Sequence, residues 1–266
     1  VQFLGDTLAK IASEKAGIIK KGTPVVIGEA NQETRPVFEA KALAEQAPIV
    51  FAEDEHLLKS DTHTPDGGFM YENEDYPQLK GELGGMCQEK NTNTLLSALR
   101  VLKKAGYNIS DNNVREGFAH VCELTGLQGR WQKLQSEPTL ICDTGHNIGG
   151  IQYIVKQLAQ QTYKHLHIVM GMVNDKDISG VLRLLPTDAI YYFTQASVKR
   201  ALPAEKVQEL AATDGLKGQC YPSVGIAVRA ALENAEKDDL IFVGGSSFIV
   251  ADLLSEKENG SFSCKS

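Results

Sequence analysis

The chain has 266 residues, 42% of them apolar and 23% charged, which is room for two modest domains of an ordinary globular protein. Its 27 basic residues stand against 34 acidic ones for a net charge of −7, and no basic cluster is interleaved with aromatics, which argues against a nucleic-acid partner. No apolar run approaches the roughly 20 residues a membrane helix needs.

Taken in chain order, the first predicted element is a helix capped by Thr7, with Leu8, Ile11, Ala12 and Ile19 at helical spacing. Lys15 falls on the face shared by Leu8, Ile11 and Ala12, an unusual place for an ammonium. Either it snorkels outward near the helix C-terminus, where its charge suits the dipole, or it is a functional lysine whose pKa is depressed by burial. A strand is expected over Thr23–Gly28, a helix over Thr34–Gln46 and a short strand over Pro48–Ala52. Residues 56–80 are polar and irregular, the pattern of loops and short hairpin strands. Helices follow at Gln88–Lys104 and from Ser110 to about Val121.

The Gly-containing stretch Thr125–Gly129 separates this region from a second that alternates more cleanly. Strands are expected at Trp131–Gln135, Thr139–Asp143, His165–Met172, Ala189–Thr194, Gly218–Tyr221 and Leu240–Gly244. Helical patterns lie between them at Ile148–Gln161, Ile178–Leu185, Ala204–Ala212 and Val224–Glu236, with a last one at Ser247–Leu254. Such alternation implies a mostly parallel sheet covered on both faces, with ligands bound beyond the C-terminal ends of its strands.

That rule singles out Asp143–Asn147, Gly171–Asp177 and Gly244–Ser247. Asp143-Thr144-Gly145-His146-Asn147 ends a strand: its carboxylate can take ribose hydroxyls and His146 a base or phosphate, or Asp143 or Asn147 simply caps the next helix. Asn174-Asp175-Lys176-Asp177 could present a lysine to an anion, though Asp177 is also a natural cap. Gly244-Gly245-Ser246-Ser247 offers backbone N–H groups to a carboxylate or phosphate, or a serine cap, and the two roles are compatible. Arg130, just after the linker, could reach a phosphate or lie solvated on the surface. Neither GxxxxGK[ST] nor GxGxxG occurs in the 266 residues. The five cysteines (Cys87, Cys122, Cys142, Cys220, Cys264) are odd in number without CxxC spacing, and read as reduced thiols of a cytoplasmic protein.

These segments together resemble the folylpolyglutamate synthases, including the bifunctional dihydrofolate synthases, of the Mur ligase superfamily. Leu4-Gly5-Asp6-Thr7 with Ile11-Ala12-Ser13-Glu14-Lys15-Ala16-Gly17-Ile18 is similar to that family's LGxT and IAxEKAGI segments. Gln88-Glu89-Lys90-Asn91 resembles its QxxN, Gly129-Arg130-Trp131-Gln132 its GR[FW]Q, and Asp143–Asn147 its DxAHN. Gly171-Met172 with Asp175-Lys176-Asp177 and Gly244-Gly245-Ser246 match its GM, DKD and GS elements. One departure is Thr144-Gly145, where the family has a small residue and alanine.

The resemblance implies that residues 1–125 are the C-terminal part of a P-loop-type α/β ATPase (Mur ligase central) domain. Residues 126–258 would be a Rossmann-like C-terminal domain and 259–266 a disordered tail. With no initiator Met at Val1, it further implies an N-terminally truncated chain whose phosphate loop and one metal-binding histidine lie upstream. Lys15 corresponds to a lysine carbamylated to organise magnesium, Asn91 to an ATP contact, Arg130 to a phosphate contact and Asp143 to a nucleoside contact. His146 would lie close by, and Ser246 in the segment associated with the incoming glutamate. The implied protein is a monomeric cytoplasmic ligase that uses ATP and Mg²⁺ to join L-glutamate to a pteroate or folate, ADP-forming, with this chain alone inactive. A Mur-type cell-wall peptide ligase and a non-catalytic nucleotide-binding fragment are the alternatives.

Overall fold

The computed structural model describes residues 7–174 and 177–260, arranged in two compact units. The first runs to Glu82 and resumes over Cys87–Leu124; the second comprises Leu83–Met86 and the chain from Thr125 on. Leu4 to Asp6 of the first motif, Asp175 and Lys176, and the expected tail beyond Gly260 lie outside the described residues.

In chain order the first unit contains α1 (Leu8–Ala16), β1 (Val25–Ile27), α2 (Arg35–Ala44), β2 (Ile49–Phe51) and α3 (Ala52–Glu55). It continues with β3 (Leu58–His63), β4 (Phe69–Asn73), β5 (Leu79–Gly81), α4 (Gln88–Lys104), α5 (Asp111–Ala119) and α6 (Val121–Thr125). β1 and β2 pair in parallel, while β3, β4 and β5 form an antiparallel meander across the stretch expected as loops and hairpin strands. The meander is possible because its inward positions alternate: Phe69, Tyr71 and Leu79 join Leu57, Tyr76, Leu96 and Val114 in one core. Thr7 caps α1 by accepting from the Lys10 N–H at 3.2 Å, as expected.

α1 also corrects an expectation. Its buried line is Ala12 and Ala16, continued by Ile19 and packed with Ala42 and Ala47. The line of Leu8, Ile11, Lys15 and Ile18 turns outward, with Leu8 50% and Ile18 79% exposed. Lys15 is exposed rather than buried. Two adjacent helical lines are both apolar here, and periodicity cannot choose between them. The alanine line packs because small side chains let α1 approach α2 closely.

The second unit contains β6 (Gln132–Ser136), β7 (Thr139–Cys142), α7 (Ile148–Leu158), β8 (Leu166–Met170), α8 (Ile178–Leu182) and β9 (Ile190–Phe193). Then come α9 (Ala204–Thr213), β10 (Gly218–Cys220), α10 (Val224–Asn234), β11 (Leu240–Gly244) and α11 (Ser247–Glu258). The strand order is β10-β9-β8-β11-β7-β6, parallel throughout except for β6, which runs antiparallel to β7. This is the mixed α/β, mostly parallel architecture that the alternation predicted. Every residue of β8 and β11 is buried, as expected of strands covered on both faces.

Two cores flank the sheet. α7, α8 and α9 cover one face through Ile151, Leu158, Leu182 and Val207 against Ile168, Tyr191 and Phe242. α10 and α11 cover the other through Val228, Ala231, Ile249 and Leu253 against Leu140, Val169, Ile241 and Val243. Each fully buried aliphatic or aromatic side chain contributes about 1.5–3 kcal/mol relative to exposure.

Candidate functional site

The sheet order creates a crevice. β7 and β8 are followed by helices on one face, whereas β11, which lies between them, is followed by α11 on the other. The loops after β7 and β11 therefore part in opposite directions, which is the topological switch point where ligands of open α/β sheets bind. Asp143–Asn147, Gly171–Val173 and Gly244–Ser246 meet there, and the β6–β7 pairing brings Gly129–Trp131 to the same edge.

Asp143 organises this edge. Its Oδ1 accepts the Gly145 N–H at 2.7 Å, and its Oδ2 accepts the Trp131 N–H at 2.7 Å. One carboxylate thus joins its own loop to the segment carrying Arg130. The Thr144 N–H adds a bond to the Gly129 carbonyl at 2.9 Å, and Gly129 N–H donates to Gln132 Oε1 at 2.8 Å. Burial raises the Asp143 pKa above the ordinary carboxylate value, opposed by the two N–H donors and by the nearby Arg130 charge. Arg130 itself is exposed.

The backbone here is held in uncommon conformations. Gly129 has φ +71°, and a Cβ there would meet Val250 at 2.7 Å and Thr144 at 2.9 Å. Trp131, which is not glycine, has φ +46°, a strained value of the kind that persists where surrounding structure enforces it. Its ring packs 6.2 Å from that of Phe242, and its N–H is the one taken by Asp143. Across the crevice Gly245 has φ +92°, and a Cβ there would lie 2.6 Å from the Gly171 carbonyl oxygen. The three strand-end loops pack this closely only without side chains.

His146 Nδ1 lies 2.8 Å from the Thr144 carbonyl. A carbonyl only accepts, so Nδ1 donates to it, and in the neutral ring Nε2 keeps a lone pair. Two buried hydroxyl oxygens, Thr144 Oγ1 and Thr194 Oγ1, lack a hydrogen-bond partner among the described residues. A buried hydroxyl without a partner costs free energy, so Thr144 at the centre of this loop is suited to a polar ligand. No pattern in the sequence marks Thr144; its buried surroundings do.

The other expected residues divide. Asn147 caps α7, its Oδ1 accepting from Gly150 N–H at 2.8 Å. Asp177 caps α8 by accepting from Gly180 N–H at 2.8 Å. Ser246 is 2% exposed and caps α11 by accepting from Phe248 N–H at 3.1 Å, so its hydroxyl is engaged in the helix start. In the first unit, Asn91 is exposed on the opening turn of α4, where its Nδ2 donates to Gln88 Oε1 at 3.1 Å. Lys15 sits on α1. The structure thus brings Arg130, Asp143 and His146 to one sheet edge, with Ser246 beside them. Among the described residues no group of three His, Cys, Asp or Glu side chains is arranged to hold a metal ion. No helix among them is long and apolar enough to cross a membrane.

Residues 129–247 match the sequence profile of the Mur ligase, glutamate ligase domain. The folylpolyglutamate synthase of Lacticaseibacillus casei is 27% identical over 256 residues, 94% of this chain and 58% of that protein. E. coli FolC in complex with DHPP and ADP superposes with a TM-score of 0.77 at 26% identity, over 96% of this chain and 57% of FolC. A bifunctional folylpolyglutamate synthase/dihydrofolate synthase with Mn, AMPPNP and L-glutamate bound gives 0.74 at 25% identity, over 96% of this chain and 58% of that one. The chain therefore spans somewhat under three fifths of the length of these relatives. Residues 129–247 thus carry the pattern of the Mur ligase glutamate ligase domain, and the chain is similar along most of its length to folylpolyglutamate and dihydrofolate synthases.

Proposed function

We propose that this chain is part of an ATP-dependent, ADP-forming ligase that joins L-glutamate to a dihydropteroate or folate carboxylate. The reading is carried by the sheet-edge crevice of a glutamate ligase domain, where Asp143 fixes the Arg130 segment beside a buried Thr144 hydroxyl awaiting a polar partner. The relatives solved with ADP, and with AMPPNP, Mn and L-glutamate, support the choice of nucleotide, divalent cation and amino acid.

In this reading a substrate carboxylate oxygen attacks the γ-phosphorus of ATP, the bond to the bridging oxygen breaks, and ADP leaves with that electron pair. The α-amino nitrogen of glutamate then attacks the acyl carbon of the mixed anhydride. The C–N bond forms, inorganic phosphate departs, and the amine loses a proton. Arg130 carries the positive charge that offsets the phosphates. Asp143, already holding two backbone N–H groups, has lone pairs left for nucleoside hydroxyls, and the Nε2 of His146 is a further acceptor at the same edge. Asn91 is assigned to ATP and Ser246 to the glutamate segment. Lys15 is exposed, so carbon dioxide can reach its amine; as a carbamate it would offer the oxygens a hard cation such as Mg²⁺ prefers, which an ammonium cannot. The first unit would be the C-terminal part of the ATPase domain and the second its Rossmann-like partner, acting as a monomer in the cytoplasm.

Since the 266 residues contain no GxxxxGK[ST] segment, the chain by itself is expected to bind ADP without turning over ATP, dihydropteroate and glutamate. Calorimetric titration with ADP tests this. Binding that weakens by roughly tenfold or more in Arg130→Ala supports the assignment, since a charge-assisted contact is worth about 1.5–3 kcal/mol. Equal binding in both chains sinks it.

A further inference from the structure

The segment Leu83–Met86 lies in sequence between two stretches of the first unit, yet it belongs to the second. One side chain of the second unit hydrogen-bonds it at two points. Gln157 of α7, 3% exposed, accepts the Met86 N–H on Oε1 at 2.9 Å and donates from Nε2 to the Gly84 carbonyl at 2.7 Å. Its amide satisfies one backbone donor and one backbone acceptor two residues apart, in a segment without regular secondary structure of its own. Gly84 and Gly85 are buried beneath it. A glutamine on the covered side of a helix that also presents Ile151, Ile154 and Leu158 to the core is costly without such partners.

We propose that Gln157 is a clamp that makes Leu83–Met86 a strap of the second unit, confining chain flexure at this double crossing to two short steps. On the entering side, Glu82 N–H donates to the Phe118 carbonyl at 2.9 Å, and its Oε2 accepts the Cys122 N–H at 2.7 Å, so Glu82 is fastened within the first unit. Gly84 is fastened within the second. Leu83 alone separates the two anchors. On the leaving side Met86 is held by the clamp and α4 begins at Gln88, so Cys87 alone intervenes. Gln157 is a positioning residue in this scheme, three turns along α7 from the loop that Asn147 caps. The proposal stands apart from the ligase reading and uses no ligand.

Amide hydrogen exchange on the full chain tests it, read by NMR or by mass spectrometry with overlapping peptides over residues 80–90. In the unaltered chain, Met86 N–H and one Gln157 Nε2 proton should exchange slowly, with the protection of α7. In Gln157→Leu, Met86 should exchange roughly tenfold faster or more while α7 and β8 keep their protection. Gln157→Glu can still accept from Met86 but donates to Gly84 only while its carboxyl is protonated. Protection of the strap, corrected for intrinsic exchange, should then fall as that carboxyl ionises. The proposal is overturned if the Gln157 side-chain protons of the unaltered chain exchange at the rate of a solvated amide, a result that needs no variant to fold. It is equally overturned if residues 83–87 exchange alike in the unaltered chain and in Gln157→Leu.

Discussion

Asp143 shows how one side chain can be structural and functional at once. Both its oxygens accept backbone N–H groups, from Gly145 and Trp131, and only an ionised carboxylate can accept both without offering a donor of its own. In Asp143→Asn one of those N–H groups faces an NH2, leaving a donor without an acceptor at a cost of about 1–3 kcal/mol. Relief from burying a charge offsets part of this, since burial raises the Asp143 pKa. The expected outcome is a lower thermal midpoint for the second unit by circular dichroism, and loss of ADP binding out of proportion to it. An unchanged midpoint would show that the two loops do not depend on the carboxylate. Asp143 and His146 could be picked out of the sequence because they stand in a motif at a strand end, and Arg130 because it stands in a motif just after the linker. The double duty of Asp143 could not, because it depends on Trp131 taking a positive φ that nothing local requires.

Among the elements, β8 and β11 are tied at their starts by a buried polar network. His167 is 1% exposed; its Nε2 lies 3.3 Å from Asp239 Oδ2 and its Nδ1 3.0 Å from the Tyr192 hydroxyl. Asp239 further accepts from His165 N–H at 2.9 Å and Glu236 N–H at 2.7 Å, and Asn234 Nδ2 donates to the Tyr192 hydroxyl at 3.2 Å. Burial lowers the pKa of His167, against the pull of Asp239. Burial alone would raise that of Asp239, but the Glu236 N–H, the His167 ring and the His165 N–H together hold it below the usual value. Both shifts have the same sign for stability. Above about pH 6.5 the unfolded histidine is neutral and the full contribution is present; as pH falls, the unfolded chain binds a proton at His167 that the folded chain resists. Below about pH 4 the unfolded Asp239 also binds a proton, and stability is lost as pH falls toward its depressed folded value. Urea midpoints for the second unit should therefore decline from pH 7 to pH 4, and the part of the decline near pH 6 should vanish in His167→Gln. A flat profile in the unaltered chain would contradict this assignment.

For the whole molecule, the two units carry separate cores, one set around Phe69, Tyr71 and Leu96 and Ala16 and Ala42, the other on the two faces of the six-stranded sheet. Phe242→Ala empties a fully buried site against Trp131 and should cost about 3–5 kcal/mol in the second unit. Hydrogen exchange should register that loss across β7, β8 and β11. Amides of β4 and α4 should keep their protection. Faster exchange in β4 to the same degree would mean that the units unfold as one.

The sequence by itself determined the alternation of strands and helices in the second unit, the parallel sheet, and the strand-end segments around Arg130, Asp143 and His146. These follow from local periodicity and from glycines or caps that mark where strands stop. Helix α4 was legible for the same reason, its predicted range of Gln88–Lys104 being the observed one. Tertiary structure alone decided which apolar line of α1 is buried, since Leu8–Ile11–Lys15 and Ala12–Ala16 differ by one position and only packing on α2 chooses between them. It alone made residues 58–81 a meander, whose short strands are stabilised by each other and by Leu96 and Val114 from distant helices. It also gave Gln157 its role, and joined Asp239 to His167 and His165, because those partners lie 71 or more residues away in sequence and no local pattern encodes a contact of that separation.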